Sequence, residues 1–438
     1  MKHYALTILL LVVVVAAGGF FLLRDSQTPI LILTPDSGPI SAKRPPILTL
    51  EDEGAGLKNL LVTITQGDKT VELLRSEFPR GTASQLLDLS LKDIKLNNGP
   101  LSIQVTAADQ ALLANSISQS FIFDYDSRPP VVSVLSRAHN LNQSGAGLVL
   151  YKISEEVERS GVQIGELFFP GYLQDEGFYA CLFTFPFNMT QADFLPRVIA
   201  VDTAGNERKA GFYYHTNPRP AKRDNINLSQ RFLDSKMPEF QDLYPDADNM
   251  LDIFLRVNRE LRVQNRAKLK ELGQLTVSSP TWQGAFLRLP NAANRAGFNE
   301  QRSYMYGGNK VDQQTHLGVD LASLANAPVP AANNGKVVFA DYLGIYGNCV
   351  IIDHGLGLQT LYAHLSTINA SVGDQVDKGT IVGRTGATGM AGGDHLHYGV
   401  TIGGIPVNPL EWWDASWIKH NFSDKWQAAL APPEAGAY

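Results

Sequence analysis

Two short stretches carry most of the chemistry of this 438-residue chain: Thr315-His316-Leu317-Gly318-Val319-Asp320-Leu321 and Asp394-His395-Leu396-His397-Tyr398. Five of the nine histidines lie between residues 316 and 397. Side chains two residues apart on a strand point to the same face, so a strand through the second stretch would bring His395 and His397 together. Two histidines and one carboxylate are typical ligands of a catalytic zinc ion, with a fourth position left for water. We therefore predict a zinc site formed by His316, Asp320 and one histidine of that pair.

The remaining histidine of the pair is then free for another task, and so is His364 in Tyr362-Ala363-His364-Leu365. A histidine beside a metal site can transfer protons or stabilise an oxyanion. Zinc lowers the pKa of a bound water to about 7, which provides a hydroxide nucleophile at neutral pH. The residues alone thus predict metal-assisted hydrolysis.

Taken in this order, the three motifs resemble those of the M23 family of zinc metallopeptidases, the lysostaphin/LytM type of cell-wall endopeptidase. The resemblance covers residues from about 282 to 412. It implies that His316, Asp320 and His397 bind one zinc ion per chain, and that His364 and His395 are the catalytic histidines. It also implies a compact antiparallel β domain whose groove has the zinc at its floor, and a substrate that is a peptide stem or cross-bridge of peptidoglycan.

The sequence departs from the family around the second stretch, where Gly393-Asp394 precede the histidine pair and Tyr398-Gly399 follow it. Glycines let a substrate backbone come close, so we expect a flexible groove wall here. That wall would contain Gly386, Gly389, Gly392 and Gly393. The alternative function is a non-enzymatic LytM-type regulator that activates a cell-wall amidase. Family members of that kind have typically lost zinc ligands, whereas this chain retains all of them. A lipoyl-type carrier is a third and weaker interpretation.

The N-terminus contains an uncharged, apolar run of twenty residues, 4–23. A helix of that length spans about 30 Å, the thickness of the hydrocarbon layer of a membrane. Cleavage as a signal peptide near Ala16-Ala17-Gly18 is the alternative, but it would leave the apolar residues 20–23 at the new terminus. Because Lys2 precedes the run, we expect a single-pass inner-membrane protein with a cytoplasmic N-terminus and a periplasmic catalytic domain.

Short apolar runs separated by turn residues predict a mainly β fold. We expect a membrane anchor over 1–27, a β-sandwich module over 28–126, an immunoglobulin-like β-sandwich module over 127–218, a helical connector over 219–275, the peptidase domain over 276–420 and a tail over 421–438. The segment 229–272 has an apolar stripe and a basic face. We interpret it as a connector with a solvated basic face; the alternative is that it narrows access to the zinc.

A formal net charge of −6 argues against a nucleic-acid partner, because such proteins normally present a basic face. The expected partners are peptidoglycan peptide stems and the inner membrane, with protein partners for the β-sandwich modules. By analogy with family architectures, the expected bond is the D-Ala to diaminopimelate cross-link of a diderm bacterium.

Overall fold

A computed structural model describes residues 25–112 and 114–431, together with residues 8 and 13. Strands account for 44% and helices for 15% of the residues, so the prediction of a mainly β fold is confirmed. None of the helices in the described part is long and apolar enough to cross a membrane. The predicted membrane span, 4–23, lies outside the described residues apart from two isolated positions. The chain divides into two compact units, the first of which contains residues up to Pro130 with the segments 155–158 and 201–208.

The first unit has eight strands whose two sheets enclose one apolar core. The strands are β1 (Ile30–Thr34), β2 (Gly38–Ile40), β3 (Ile47–Glu51), β4 (Leu57–Gln66), β5 (Lys69–Glu77), β6 (Ser84–Asp88), β7 (Gly99–Asp109) and β8 (Ser116–Tyr125). The sheet orders are β1-β3-β6 and β2-β8-β7-β4-β5. Alternate residues of β7, such as Ile103 and Val105, are buried, which is the pattern of a sheet with one face on a core.

A second set of sheets follows, most of it in the second unit. Its strands are β9 (Val132–Val134), β10 (His139–Asn142), β11 (Ala146–Ile153), β12 (Val157–Ile164), β13 (Leu167–Pro170), β14 (Tyr172–Leu173), β15 (Tyr179–Thr184), β16 (Arg197–Asp202), β17 (Glu207–Ala210) and β18 (Tyr214–Asn217). They form the sheets β14-β15-β11-β9 and β13-β12-β16-β17, with β10 and β18 as a parallel pair.

The C-terminal part of the second unit is built on an eight-stranded sheet. The strands of this part are β19 (Arg223–Asn227), β20 (Ala293–Ala296), β21 (Glu300–Tyr306), β22 (Asn309–His316), β23 (Val319–Ala322), β24 (Pro328–Pro330), β25 (Gly335–Tyr342), β26 (Asn348–Asp353), β27 (Leu358–Leu365), β28 (Thr367–Ile368), β29 (Gln375–Val376), β30 (Ile381–Arg384), β31 (Leu396–Ile402) and β32 (Ile405–Val407). The large sheet has the order β20-β23-β31-β27-β26-β25-β29, and β32 also pairs with β31. Every residue of β27 and β31 is buried, so the centre of this sheet is covered on both faces.

A helical segment lies between β19 and the large sheet. It consists of the α-helices Gln230–Lys236, Met250–Arg256 and Arg262–Leu272, the 3₁₀ helix Met237–Leu243 and the π-helical turn Val257–Leu261. The first two α-helices begin where Ser229 and Asn249 accept hydrogen bonds from backbone N–H groups of the first turn. Buried residues of the segment, including Leu233 and Phe254, share one core with Ile351 and Leu361 of the large sheet. The segment is therefore packed against the sheet along its length.

The chain ends in the short helices Leu410–Trp413, Ala415–Ile418 and Asp424–Leu430, joined by the π-helical turn Lys419–Ser423. The carboxylate of Glu411 accepts hydrogen bonds from the side chain of Asn142 (2.7 Å) and the backbone N–H of Ala146 (2.9 Å). Trp426 makes an edge contact with Phe178, with ring centroids 5.2 Å apart. These helices thus join the strands β10, β11 and β15 to the large sheet within one continuous core.

Candidate active site

The register of the large sheet places the predicted site residues side by side. Asp320 on β23 is paired with His397 on β31, and His397 is paired in turn with Ala363 on β27. His364 follows Ala363 directly, and His316 is the last residue of β22. Strand pairing therefore brings together three motifs that are separated by dozens of residues in the sequence.

Three side-chain atoms converge on one point. Asp320 Oδ1 lies 3.0 Å from His316 Nε2 and 2.8 Å from His397 Nδ1, and the two nitrogens are 3.1 Å apart. All three residues are buried, with less than a tenth of each residue exposed. Burial alone would raise the pKa of Asp320, but the neighbouring histidines, His316 above all, hold it well below its ordinary value. The carboxylate is therefore charged and ready to act as a ligand.

The donor set fits a divalent metal ion. His316 Nδ1 donates its hydrogen to the carbonyl oxygen of Gly297 at 2.8 Å, which turns the other ring nitrogen, Nε2, towards the converging atoms. Burial lowers the pKa of His397 to about 4, so the ring of His397 is neutral at pH 7. His316 Nε2 and Asp320 Oδ1, 3.0 Å apart, are both donor atoms that a divalent metal ion can bind. Two imidazoles and one carboxylate match a catalytic zinc set with an open fourth position.

Two further groups hold these ligands in place. Arg302 on β21 lies with Nη2 3.1 Å from Asp320 Oδ2, so the guanidinium fixes the carboxylate and leaves Oδ1 for the metal. Gly318 lies between His316 and Asp320, and a Cβ atom there would be 2.5 Å from the ring of His397. The glycine of the first stretch is therefore required by the close approach of the third ligand. Neither role was predicted, although Arg302 lies in strand alternation with Glu300 and Tyr304.

His364 and His395 lie beside the converging atoms, and their ring centroids are 4.9 Å apart. Each ring is held through Nδ1, which donates to the carbonyl oxygen of Thr388 for His364 and of Gly393 for His395, both at 2.8 Å. His364 has a φ of 62°, a left-handed conformation that is strained for a residue with a side chain. Such strain concentrates at functional sites, where surrounding structure maintains it.

The environments of these two histidines shift their pKa values in opposite directions. Burial, together with the neighbouring His397 and His395, lowers the pKa of His364 well below its ordinary value. Burial acts in the same direction on His395, but its interactions with the Asp320 carboxylate outweigh this effect and raise its pKa. A neutral and a readily protonated imidazole next to each other suit a base and an acid or oxyanion donor.

A cavity of about 310 Å³ opens on the five predicted residues. Arg262, Arg302 and Asn227 provide further polar groups of its wall. Most of the remaining wall is apolar or aromatic: Ile226, Leu228, Phe232, Phe254, Tyr304, Ile345, Tyr346 and Met390. The helical segment thus contributes directly to the wall through residues 232, 254 and 262, and our interpretation of its basic face as solvated is wrong for Arg262.

The four glycines predicted as a flexible wall serve different purposes. Added Cβ atoms at Gly386 and Gly389 would lie 2.5 Å from Ser366 N and 2.4 Å from Gly347 N. These two glycines are therefore required by close packing of backbone segments, which contradicts a flexible wall at these positions. Gly392 and Gly393 have open space around the same position, and Gly392 lines the cavity.

Comparisons with known proteins agree with this geometry. Residues 314–409 match the model of Peptidase family M23. The chain is 44% identical over 95 residues to DD-carboxypeptidase/endopeptidase Mpg of Neisseria meningitidis, an alignment that covers 22% of each protein. It is 38% identical over 96 residues to peptidoglycan DD-endopeptidase ShyA of Vibrio cholerae, again covering 22% of each.

Among solved structures, the chain is similar to the catalytic domain of lysostaphin from Staphylococcus simulans, with a TM-score of 0.24 and 30% identity. The match covers 28% of this chain and 94% of that one. The chain matches only 22% of the length of the two curated relatives. The match of residues 314–409 to the family model leads to one conclusion: the chain carries a peptidase family M23 domain in its C-terminal part.

Proposed function

We propose that the chain is a membrane-anchored zinc endopeptidase that hydrolyses peptide cross-links of bacterial peptidoglycan. The observation that carries the proposal is the convergence of His316 Nε2, Asp320 Oδ1 and His397 Nδ1 within 3.1 Å of one another at the edge of a cavity. A regulator without enzymatic activity would not need this set, and the complete set favours the enzyme. The relatives named as DD-endopeptidases support the same choice.

Each of the five residues has a separate role in the proposed reaction. His316, Asp320 and His397 hold the metal, and a zinc ion there would supply Lewis-acid polarisation of the scissile carbonyl and acidification of water. His364 lines the cavity with a neutral ring, so it can accept a proton from the attacking water. His395 favours the protonated form, so it can donate a hydrogen bond to the oxygen on which negative charge develops.

The proposed bond is the amide between D-Ala and diaminopimelate. The names of the two relatives, a DD-carboxypeptidase/endopeptidase and a peptidoglycan DD-endopeptidase, support a cross-link of this type. The proposed location is the periplasmic face of the inner membrane, with a cytoplasmic N-terminus. It is supported by the uncharged run over residues 4–23 and by Lys2 in front of it.

The test is digestion of purified, cross-linked peptidoglycan from a diderm bacterium by the full chain in detergent. Mass spectrometry should show monomeric stem peptides with a new D-Ala carboxylate and a new diaminopimelate amine. Asp320→Asn, which keeps the size of the side chain but loses its charge, should give no product, and a chelator should abolish the activity of the wild type until zinc is restored. If the zinc-loaded wild type left the cross-links intact but stimulated an added amidase, the protein would be the non-enzymatic regulator instead.

A further inference from the structure

The charged groups in the wall of the cavity are unequally paired. The wall contains one carboxylate, Asp320, and two guanidinium groups, those of Arg262 and Arg302. Arg302 is engaged with Asp320 at 3.1 Å and lies 3.8 Å from Glu300. Arg262 forms no ion pair with any carboxylate in the part of the chain that the structure describes. The wall therefore has one positive charge without an acidic partner.

The guanidinium of Arg262 is nevertheless held in a fixed orientation. Its Nε donates to the backbone oxygen of Asn258 (3.2 Å) and its Nη2 to the side-chain oxygen of the same residue (2.5 Å). Asn258 is completely buried and donates in turn to Asp312 at 2.6 Å. These bonds use one edge of the guanidinium, whereas Nη1 has no hydrogen-bond acceptor among the described residues. A guanidinium fixed in this way with free N–H groups is suited to bind a planar anion.

The same arginine lines the cavity that contains the residues that would act on the substrate. It shares the cavity with His397 and with Tyr346, whose ring centroid is 5.7 Å from that of His397. The helix that begins at Arg262 is fixed to the turn before Tyr346, because Asn265 accepts a hydrogen bond from the backbone of Ile345 at 2.9 Å. A half-buried cation beside apolar wall residues is costly unless an anion pairs with it. This cost can be recovered when an anionic substrate binds.

We propose that Arg262 is a specificity-determining residue that binds a free carboxylate on the carbon atom next to the scissile nitrogen. The inference rests on the proposed function and adds the residue that would recognise one charged group of that substrate. In a D-Ala to diaminopimelate cross-link, the amide nitrogen is attached to a carbon that also carries a carboxylate. A glycine bridge has no charged group at that place. The pairing of Arg262 with this carboxylate would therefore select the first kind of cross-link and orient its nitrogen towards His397 and its neighbours.

The experiment compares two soluble cross-linked muropeptide dimers that differ only in this carboxylate, which is free in one and amidated in the other. The wild type should cleave the free form with a kcat/KM about tenfold or more above that of the amidated form, since hydrogen bonds to a charged group are worth that much. Arg262→Gln should lose this preference, mainly through a higher KM for the free form. Arg231→Gln is the matched control, because Arg231 is an exposed arginine of the same helical segment outside the cavity wall. An equal loss on both dimers in Arg262→Gln would overturn the proposal.

A second measurement does not depend on turnover. Calorimetry with the metal-free protein should show that a stem peptide in which this carboxylate is free binds more tightly than the same peptide with the carboxylate amidated. Arg262→Gln should remove this difference in affinity. Arg262→Lys keeps the positive charge and should retain part of the preference for the free carboxylate. The melting temperature of each variant shows whether it is folded. If the wild type showed this binding preference and cut neither dimer, the proposed function would fail while the role of Arg262 held. No preference in wild-type binding would refute the role of Arg262 directly.

Discussion

One histidine outside the active site, His354, leads to a quantitative prediction about acid stability. It is completely buried, with Nδ1 donating to the Asn334 carbonyl at 2.6 Å and Nε2 2.8 Å from the hydroxyl oxygen of Thr360. Burial lowers its pKa from 6.5 to about 4. The unfolded chain therefore binds more protons than the folded one, so the stability present above pH 6.5 is lost as the pH falls towards 4. Between about pH 7.5 and about pH 5, the loss from this one group is about 2 kcal/mol.

Urea unfolding followed by tryptophan fluorescence measures this loss in the right part of the molecule. All five tryptophans lie between residues 282 and 426, in the second unit, and Phe286 contacts His354, Trp282 and Trp412. His354→Asn should be less stable at neutral pH, but its stability should fall by about 2 kcal/mol less than that of the wild type on acidification. His420→Asn, at an exposed histidine, should follow the wild type. The same dependence on pH in His354→Asn and the wild type would refute the reasoning.

Three other predictions follow from the geometry. Alanine at His316, Asp320 or His397 should remove zinc, whereas alanine at His364 or His395 should abolish turnover with zinc retained. Mass spectrometry of metals measures the zinc content, and equal zinc loss in all five variants would contradict this division of roles. Phe254→Ala should lower the free energy of unfolding by about 3 to 5 kcal/mol, because the ring is completely buried in the core beneath the helical segment. A reporter fused after Tyr438 should be active only outside the cytoplasm, and the protein should remain in membranes after a high-salt wash; a mature N-terminus near Gly18 would instead indicate a cleaved signal peptide.

The converging residues could be predicted from the sequence because their signal is local. His395 and His397 are two residues apart, with His397 on β31 and His395 directly before it, and His316 and Asp320 fall within one short motif. The order of the three motifs then indicated the family resemblance, which implied a role for each residue. The assignment of His397 to the metal and His364 to proton transfer remains a prediction, supported by the position of their ring nitrogens.

The rest of the cavity could not be predicted, because its residues are brought in by distant pairings without a periodic signal. The parallel pairing of β19 with β21 places Ile226 beside Tyr304, 78 positions later. The basic residues of the helical segment looked alike in the sequence, yet their surroundings differ. Arg259 pairs with Asp312, whereas Arg262, three positions later, faces the cavity. Arg259 lies within the π-helical turn Val257–Leu261, whereas Arg262 is the first residue of the α-helix that follows it.

The contact of Glu411 with Asn142 and Ala146 has a consequence for evolution and for engineering. A recombination event that transferred only residues 276–420 to another protein would leave this buried carboxylate without its two donors. The portion of the gene that can be inherited or grafted as one piece is thus the larger one, from the strand at residue 132 to the helix that ends at Leu430.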